Sequence, residues 1–326
     1  MSFQTILLLT TFFITILVAL IIIPILKKAK DGQIERDDGP ESHLKKQGTP
    51  TMGGVIIIIS MIVGVLIAHT YYTLNGNGQI AQRLLPILCL TLGFGIIGFI
   101  DDYKKLVLKN TKGLKPSYKM LGLLIISVAF VLYLTEVLNI GTDTYIPVIK
   151  TYLNLPLWLY IPFAIIVILG TTNAVNLTDG IDGLSSSVCT IIITCITIIA
   201  ILEGVLEISI FGSVVIGATL GFLMFNLHPA KVFMGDTGSL LLGGVISAMA
   251  LYLKMPLLLI VIALVPVIET LSVIIQVAYF KKTGNRVFKM APIHHHFELS
   301  GWKESKVVII FSIITLITCF IGLLII

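Results

Sequence analysis

Residues 6–26 read ILLLTTFFITILVALIIIPIL, an apolar run without a single charge. An α-helix covers the hydrocarbon core of a bilayer with about 20 such residues, so this run is long enough to cross a membrane. No basic segment precedes it and no small-residue cleavage site follows it, so it reads as a retained helix and not as a signal peptide.

Outward from this stretch the same pattern recurs. Together with 4–26, runs at 52–72, 83–100, 120–138, 157–174, 184–202, 209–227, 237–254, 256–279 and 305–326 predict about ten transmembrane helices. The third run is among the shortest and the ninth is the longest. Pro266 falls inside the ninth, where a missing N–H and a ring clash should break the helix. The 326 residues are 56% hydrophobic and 12% charged, against roughly 25% charged in soluble domains, which excludes a water-covered globule. The expectation is an all-α integral membrane protein, residues 1–326 forming a single polytopic domain in contact with the bilayer and with no nucleic-acid partner. Cys89, Cys189, Cys195 and Cys319 all lie in apolar runs and form no disulfide or zinc pattern.

Basic residues set the orientation. Nineteen lysines and arginines fall in one set of alternating loops, among them Lys27, Lys46, Lys105, Lys119 and Arg286. Only Arg83, Lys150 and Lys254 fall in the other. The positive-inside rule puts the first set in the cytoplasm and both termini outside. On the outer side, residues 140–153 alternate apolar and polar with β-branched and aromatic residues, which predicts a short outer β-hairpin.

The residues most costly near a membrane converge on the basic side. Asp101 and Asp102 end the third span, where the helix dipole is already negative. They are either a solvated end neutralised by Lys104 and Lys105 or ligands for a divalent metal. The stretch Asn173-Ala-Val-Asn176-Leu-Thr-Asp179-Gly-Ile-Asp182-Gly183 joins the fifth and sixth spans. A turn with Asp182 as helix cap accounts for its end, but not for amides that begin at Asn173, inside an apolar run. Phe233-Met-Gly235-Asp236-Thr-Gly-Ser239 opens the eighth span. Asp236 there is either an ordinary cap or a metal ligand beside a phosphate held on free backbone amides. His294, His295 and His296 sit in the last basic loop; neighbours on a helix diverge, so one metal held by all three is not expected. They suit the oxygens of a nucleotide diphosphate, or form an exposed polar turn. Isolated His43, His69 and His228 receive no role, and Glu269, near Pro266, either pairs between helices or holds the break open.

With these residues the sequence resembles, over essentially its whole length, the phospho-N-acetylmuramoyl-pentapeptide transferase family of bacterial inner membranes. The resemblance rests on Lys46–Gly54 (KQGTPTMGG), Asp101–Lys105 (DDYKK), Asn173–Gly183, Asn226–Asp236 (NLHPAKVFMGD) and Met290–Glu298 (MAPIHHHFE). It implies ten helices with outside termini, a multi-pass place in the inner membrane with the site facing the cytoplasm, and a possible homodimer. The implied reaction is Mg²⁺-dependent transfer of phospho-MurNAc-pentapeptide from UDP-MurNAc-pentapeptide to undecaprenyl phosphate, releasing UMP. Asp236 would be the main metal ligand with Asp102 assisting, and Asp101 would act as base toward the lipid phosphate or keep it aligned. Lys46, Lys105 and Lys119 would face phosphates, and Phe233 would stack on uracil beside Asn176 and Asp179. Asn173, Asn226 and Gly235 would complete the substrate site. His294 and His295 would contact the diphosphate, with His296 supporting the loop. Direct attack is favoured over a phospho-aspartate, because an aspartate engaged with metal and lysines is a poor nucleophile. The alternatives are a sister transferase using UDP-N-acetylglucosamine, against which the histidine triplet argues, and a transporter, whose site would lie nearer the bilayer midplane.

Overall fold

A computed structural model describes residues 2–30, 48–106, 108 and 113–326. Lys46 and His43 lie outside them. The chain runs through α1 (Phe3–Lys30), α2 (Gly54–Leu74), α3 (Gly78–Leu106) and α4 (Pro116–Leu132), the last continued by a π-turn at Tyr133–Val137. Two short strands follow, β1 (Asp143–Ile146) and β2 (Thr151–Asn154), and then α5 (Leu157–Thr178), α6 (Leu184–Leu202), α7 (Leu206–Asn226) and α8 (Gly235–Tyr252). A 3-10 turn at Pro256–Leu258 leads into the short α9 (Leu259–Ile262), and α10 (Leu264–Thr283), α11 (Ile293–Glu298) and α12 (Glu304–Leu324) complete the chain.

Among the described residues nine helices are long and apolar enough to cross a membrane: α1 to α7, α10 and α12. The run at 237–254 is a helix too, α8, but falls outside that class. It opens with Gly-Asp-Thr-Gly-Ser, and from Thr237 to Tyr252 every residue is buried by protein. Burial also orders the others. In their most apolar windows 72% of α6 and 78% of α7 is buried, against 22% of α10, so α6, α7 and α8 form the centre. Large apolar side chains such as Leu17, Ile21, Ile166 and Phe320 face outward around this centre, as lipid contact requires. Buried hydroxyls within the bundle need no distant partner. Thr91, Thr172 and Ser247 donate to carbonyls three or four residues earlier, at 2.9 to 3.0 Å.

Two expectations about length are corrected. The third span, expected to be among the shortest, is the 29-residue α3, because the helix continues past the apolar run and carries Asp101 to Lys105 in its last turns. The ninth, expected to be the longest, is interrupted at Ala263 (φ −103°, ψ 31°), three residues before Pro266. Proline fits the first turn of the new helix α10, where its missing N–H costs nothing, and does not fit a continuous one. The expected hairpin is present, antiparallel, with Asp143 opposite Asn154 and Tyr145 opposite Tyr152. Tyr145 N–H donates to the Lys254 carbonyl at 2.7 Å, and Lys254 Nζ reaches Asp143 at 2.9 Å. The hairpin is thus pinned beyond the C-terminus of α8, at the opposite end from Asp236.

Candidate active site

Three chain segments bring their polar residues to one end of the bundle: the C-terminus of α3, the C-terminus of α5 with the loop after it, and the N-terminus of α8. Between them lies a cavity of about 430 Å³ lined by Asp102, Lys105, Asn176, Asp179, Asn226, Phe233, Gly235 and Asp236, all expected from the sequence. Thr51, Gly180, Ile181, Asp182 and Met234 line it as well.

Asp236 is the hub. Its Oδ2 receives Lys119 Nζ at 2.9 Å and Lys105 Nζ at 3.1 Å, and its Oδ1 accepts from Asn176 Nδ2 at 2.8 Å. Asn176 also donates to Ser239 Oγ at 2.8 Å, so a neighbour on α8 fixes its amide. Lys105 reaches back to Asp101 Oδ2 at 2.5 Å, while Asp101 Oδ1 accepts the Leu114 N–H at 2.6 Å. Lys119, which lies on α4, is thereby joined to three other helices, α3, α5 and α8, by one carboxylate.

Asp102 does something the sequence did not foretell. The start of α8 has no cap of its own, and Asp236 does not supply one. Asp102 supplies it from α3: Oδ1 accepts Asp236 N–H at 3.2 Å, and Oδ2 accepts Thr237 N–H at 2.9 Å and Thr237 Oγ1 at 2.6 Å. The Gly235 backbone also favours the charged form of the nearby Asp179. The amides expected to be free for a phosphate are therefore engaged by carboxylates, and the expectation of a phosphate seated on them is corrected. A carboxylate offers about four acceptor positions, which leaves one on Asp102 Oδ1. One oxygen each from Asp101, Asp102 and Asp236 lies within 4.8 Å of the others, an arrangement able to hold a metal ion. Desolvation in the cavity wall, then the negative charges of Asp236 and Asp102, push the Asp179 carboxyl up to about 8.

Gly235 is where these demands meet. Its φ is +73°, and a Cβ added there would stand 2.5 Å from Asp102 Oδ2 and 2.8 Å from Thr51 Oγ1. Gly235→Ala is expected to destabilise the protein by roughly 1–3 kcal/mol, the cost of a strained backbone conformation, and to lower its midpoint of thermal unfolding in detergent. An unchanged midpoint would remove the claim that Asp102 and the α8 start are packed without slack.

Other expected site residues lie outside this cavity or are occupied within it. Asn173 turns back to the Leu169 carbonyl at 2.7 Å. Asn226 is buried with both ends engaged, Oδ1 by Ser186 Oγ at 2.6 Å and Nδ2 on the Val232 carbonyl at 3.0 Å, so it shapes the loop before α8. Asp182 does not cap α6, whose N-cap is Gly183. It accepts Ala230 N–H at 3.1 Å and meets His228 Nδ1 at 3.0 Å, with Glu304 3.4 Å from the same nitrogen. The histidines diverge as expected on the short α11. His294 is wholly buried with Nδ1 3.1 Å from Glu269, His295 pairs with Glu298 at 2.8 Å, and His296 Nδ1 accepts the Lys289 N–H at 3.1 Å. None of the three lines the cavity, because each ring is turned toward its own partner. Of the two alternatives for Glu269, pairing between helices holds, with His294 as partner; which residue it and His228 would pair with leaves no periodic or compositional trace in the sequence.

The sequence also matches known proteins. The model of glycosyl transferase family 4 matches residues 84–254, and a signature described as phospho-N-acetylmuramoyl-pentapeptide-transferase signature 1 matches residues 46–58. A Clostridium botulinum protein named phospho-N-acetylmuramoyl-pentapeptide-transferase is 53% identical over 302 residues, 93% of this chain and 90% of its own. Proteins of the same name from Acetivibrio thermocellus and Halalkalibacterium halodurans are each 48% identical, over 96% and 93% of this chain and 92% and 91% of their own.

Proposed function

Because this chain belongs to the phospho-N-acetylmuramoyl-pentapeptide-transferase family, we propose that the cavity around Asp236 is where it performs that family's reaction. The protein is a multi-pass membrane enzyme of peptidoglycan synthesis. It transfers phospho-MurNAc-pentapeptide from UDP-MurNAc-pentapeptide to undecaprenyl phosphate, giving the lipid-linked product and UMP. The observation that carries the assignment of the site is the fixing of Asp236 between Lys105, Lys119 and Asn176 at the cavity wall.

The physical problem is to bring two phosphate-bearing substrates together against their mutual repulsion. The donor set around Asp236 fits a small hard cation: three carboxylates, oxygen ligands only, converging within 4.8 Å, with a position left on Asp102 Oδ1. Asp236 would hold Mg²⁺ with help from Asp102, and bound there the ion would neutralise the diphosphate and its UMP leaving group. Lys105 and Lys119 stand within reach of the same place and turn from Asp236 to the substrate phosphates, and Lys46 adds charge to them. Asp101 holds Lys105 and keeps the lipid phosphate ionised and aligned for direct attack. Phe233 offers a ring face for uracil, flanked by Asn176 and Asp179. Asn226 and Gly235 shape that wall, and His294 lies behind it against Gly180. The concentration of lysines on this side supports a cytoplasmic site, outside termini and α8 as the tenth crossing. The apolar groove beside the break at Ala263, lined by Ile166, Gly170, Leu259 and Val267, suits the prenyl chain.

The test is UMP release by purified protein in detergent from UDP-MurNAc-pentapeptide. Release is expected to require both undecaprenyl phosphate and Mg²⁺ and to stop on chelation with EDTA. UMP release without lipid acceptor, or preferential turnover of UDP-N-acetylglucosamine, would overturn the assignment.

A further inference from the structure

Glu269 and His294 form a pair that the reaction as described does not use. Both side chains are completely buried, with Glu269 Oε2 and His294 Nδ1 3.1 Å apart. Neither ring nitrogen and neither carboxylate oxygen has a hydrogen-bond partner among the described residues. Ionisable groups withdrawn from water and left to each other are costly, and few folded chains keep such a pair.

Its position suggests a role. Glu269 lies on α10, about one turn past Pro266, on the helix that the break at Ala263 sets off from α9. On the other side of the pair, His294 Nε2 abuts Gly180, so closely that a Cβ there would stand 2.1 Å from it. Gly180 belongs to the cavity wall with Asp179, Ile181 and Asp182. A continuous line of contact thus runs from the broken helix through Glu269 and His294 to the wall of the cavity. An imidazole ring can rotate; this one lies against the His295 ring, centroids 4.1 Å apart, and among the described residues the Glu269 carboxylate is its ionic partner.

We propose that Glu269 is a positioning residue for donor binding: it orients His294 behind Gly180, and the ring holds the wall at residues 179–182 in the shape that receives the nucleotide end of the donor. This inference rests on the functional reading above. It differs from a merely structural pairing in what it predicts for kinetics, since a passive contact would affect stability without selecting one substrate.

The experiment uses the full-length protein in detergent and initial rates of UMP release, each substrate varied at saturation of the other. The variants are Glu269→Leu, Glu269→Gln, His294→Ala and the double variant Glu269→Leu/His294→Ala. Glu269→Leu is expected to raise KM for UDP-MurNAc-pentapeptide tenfold or more while KM for undecaprenyl phosphate stays within twofold. Glu269→Gln, which keeps a polar oxygen at the same reach, should recover part of that loss. The double variant should be no worse than His294→Ala alone, because Glu269 acts only through the ring. Losses that multiply in the double variant, an equal rise in lipid KM, or a fall in thermal stability with donor KM unchanged would each overturn the proposal. Should Glu269→Leu not fold, Gly180→Ala interrogates the same contact from the cavity side: a donor-selective tenfold rise in KM supports the proposal, and an unchanged donor KM overturns it. An unaltered protein that releases no UMP would overturn the functional reading and this inference with it.

Discussion

Replacing Asp236 by asparagine is expected to lower the rate of UMP release by about a thousandfold or more, equivalent to roughly 4 kcal/mol of lost transition-state stabilisation. The substitution keeps the size of the side chain and removes its charge. Oδ2 now receives Lys119 at 2.9 Å and Lys105 at 3.1 Å, and an amide NH₂ at that position would confront two ammonium groups. The positive charge of the two lysines would lose its local counter-ion, and the cation site would lose its central ligand. Thermal stability should change far less than turnover, because Asp236 caps no helix and keeps 18% of its side chain exposed. Parallel measurement of turnover and unfolding midpoint checks both halves. A variant retaining more than a tenth of the wild-type rate would remove Asp236 from the centre of the site.

For Asp102 the opposite balance is expected. Its carboxylate is 3% exposed and satisfies three donors at the start of α8. Asp102→Ala leaves the Asp236 and Thr237 amides buried without acceptors. Each orphaned donor costs about 1–3 kcal/mol, so the substitution should destabilise the protein by roughly 2–5 kcal/mol as well as abolish turnover. Asp102→Asn gives little relief, since its NH₂ must face either Asp236 N–H or the Thr237 donors. Thermal unfolding in detergent, with and without Mg²⁺, measures the effect. If Asp102→Ala melted with the wild type while losing activity, Asp102 would be a ligand only and the capping role assigned to it would fall.

These two residues also mark how far the sequence could be read. The spans were legible because apolar runs of membrane length have little use outside a bilayer, and the break near Pro266 because proline acts locally. The hairpin followed from alternation in residues 140–153. Asp101, Asp236 and Asn176 were legible as a group because charges and amides gather at one end of otherwise apolar spans, and topology alone brings those ends together. What escaped was pairing between distant segments. Asp102 satisfies backbone donors more than 130 positions away, and Asn226 is spent on its own loop rather than on a ligand. Both are polar residues at helix ends, and side-chain type does not say whether the partner will be protein or substrate. Helix length escaped for a related reason. Hydropathy stops at the first charge, whereas the backbone hydrogen bonding of α3 continues through Asp101 and Lys105 to Leu106.

During biogenesis a segment that enters the bilayer alone is sorted by its own apolarity. A helix such as α8, which starts with Gly-Asp-Thr-Gly-Ser and ends wholly surrounded by protein, gains little from lipid. Its place is made by earlier segments of the same chain: α3 contributes the carboxylate that receives its first amides, and α3 and α5 most of the walls it packs against. Vectorial synthesis delivers those segments first. The order of helices along the chain is therefore also a workable order of assembly, in which the least lipid-compatible helix arrives after its berth has been built.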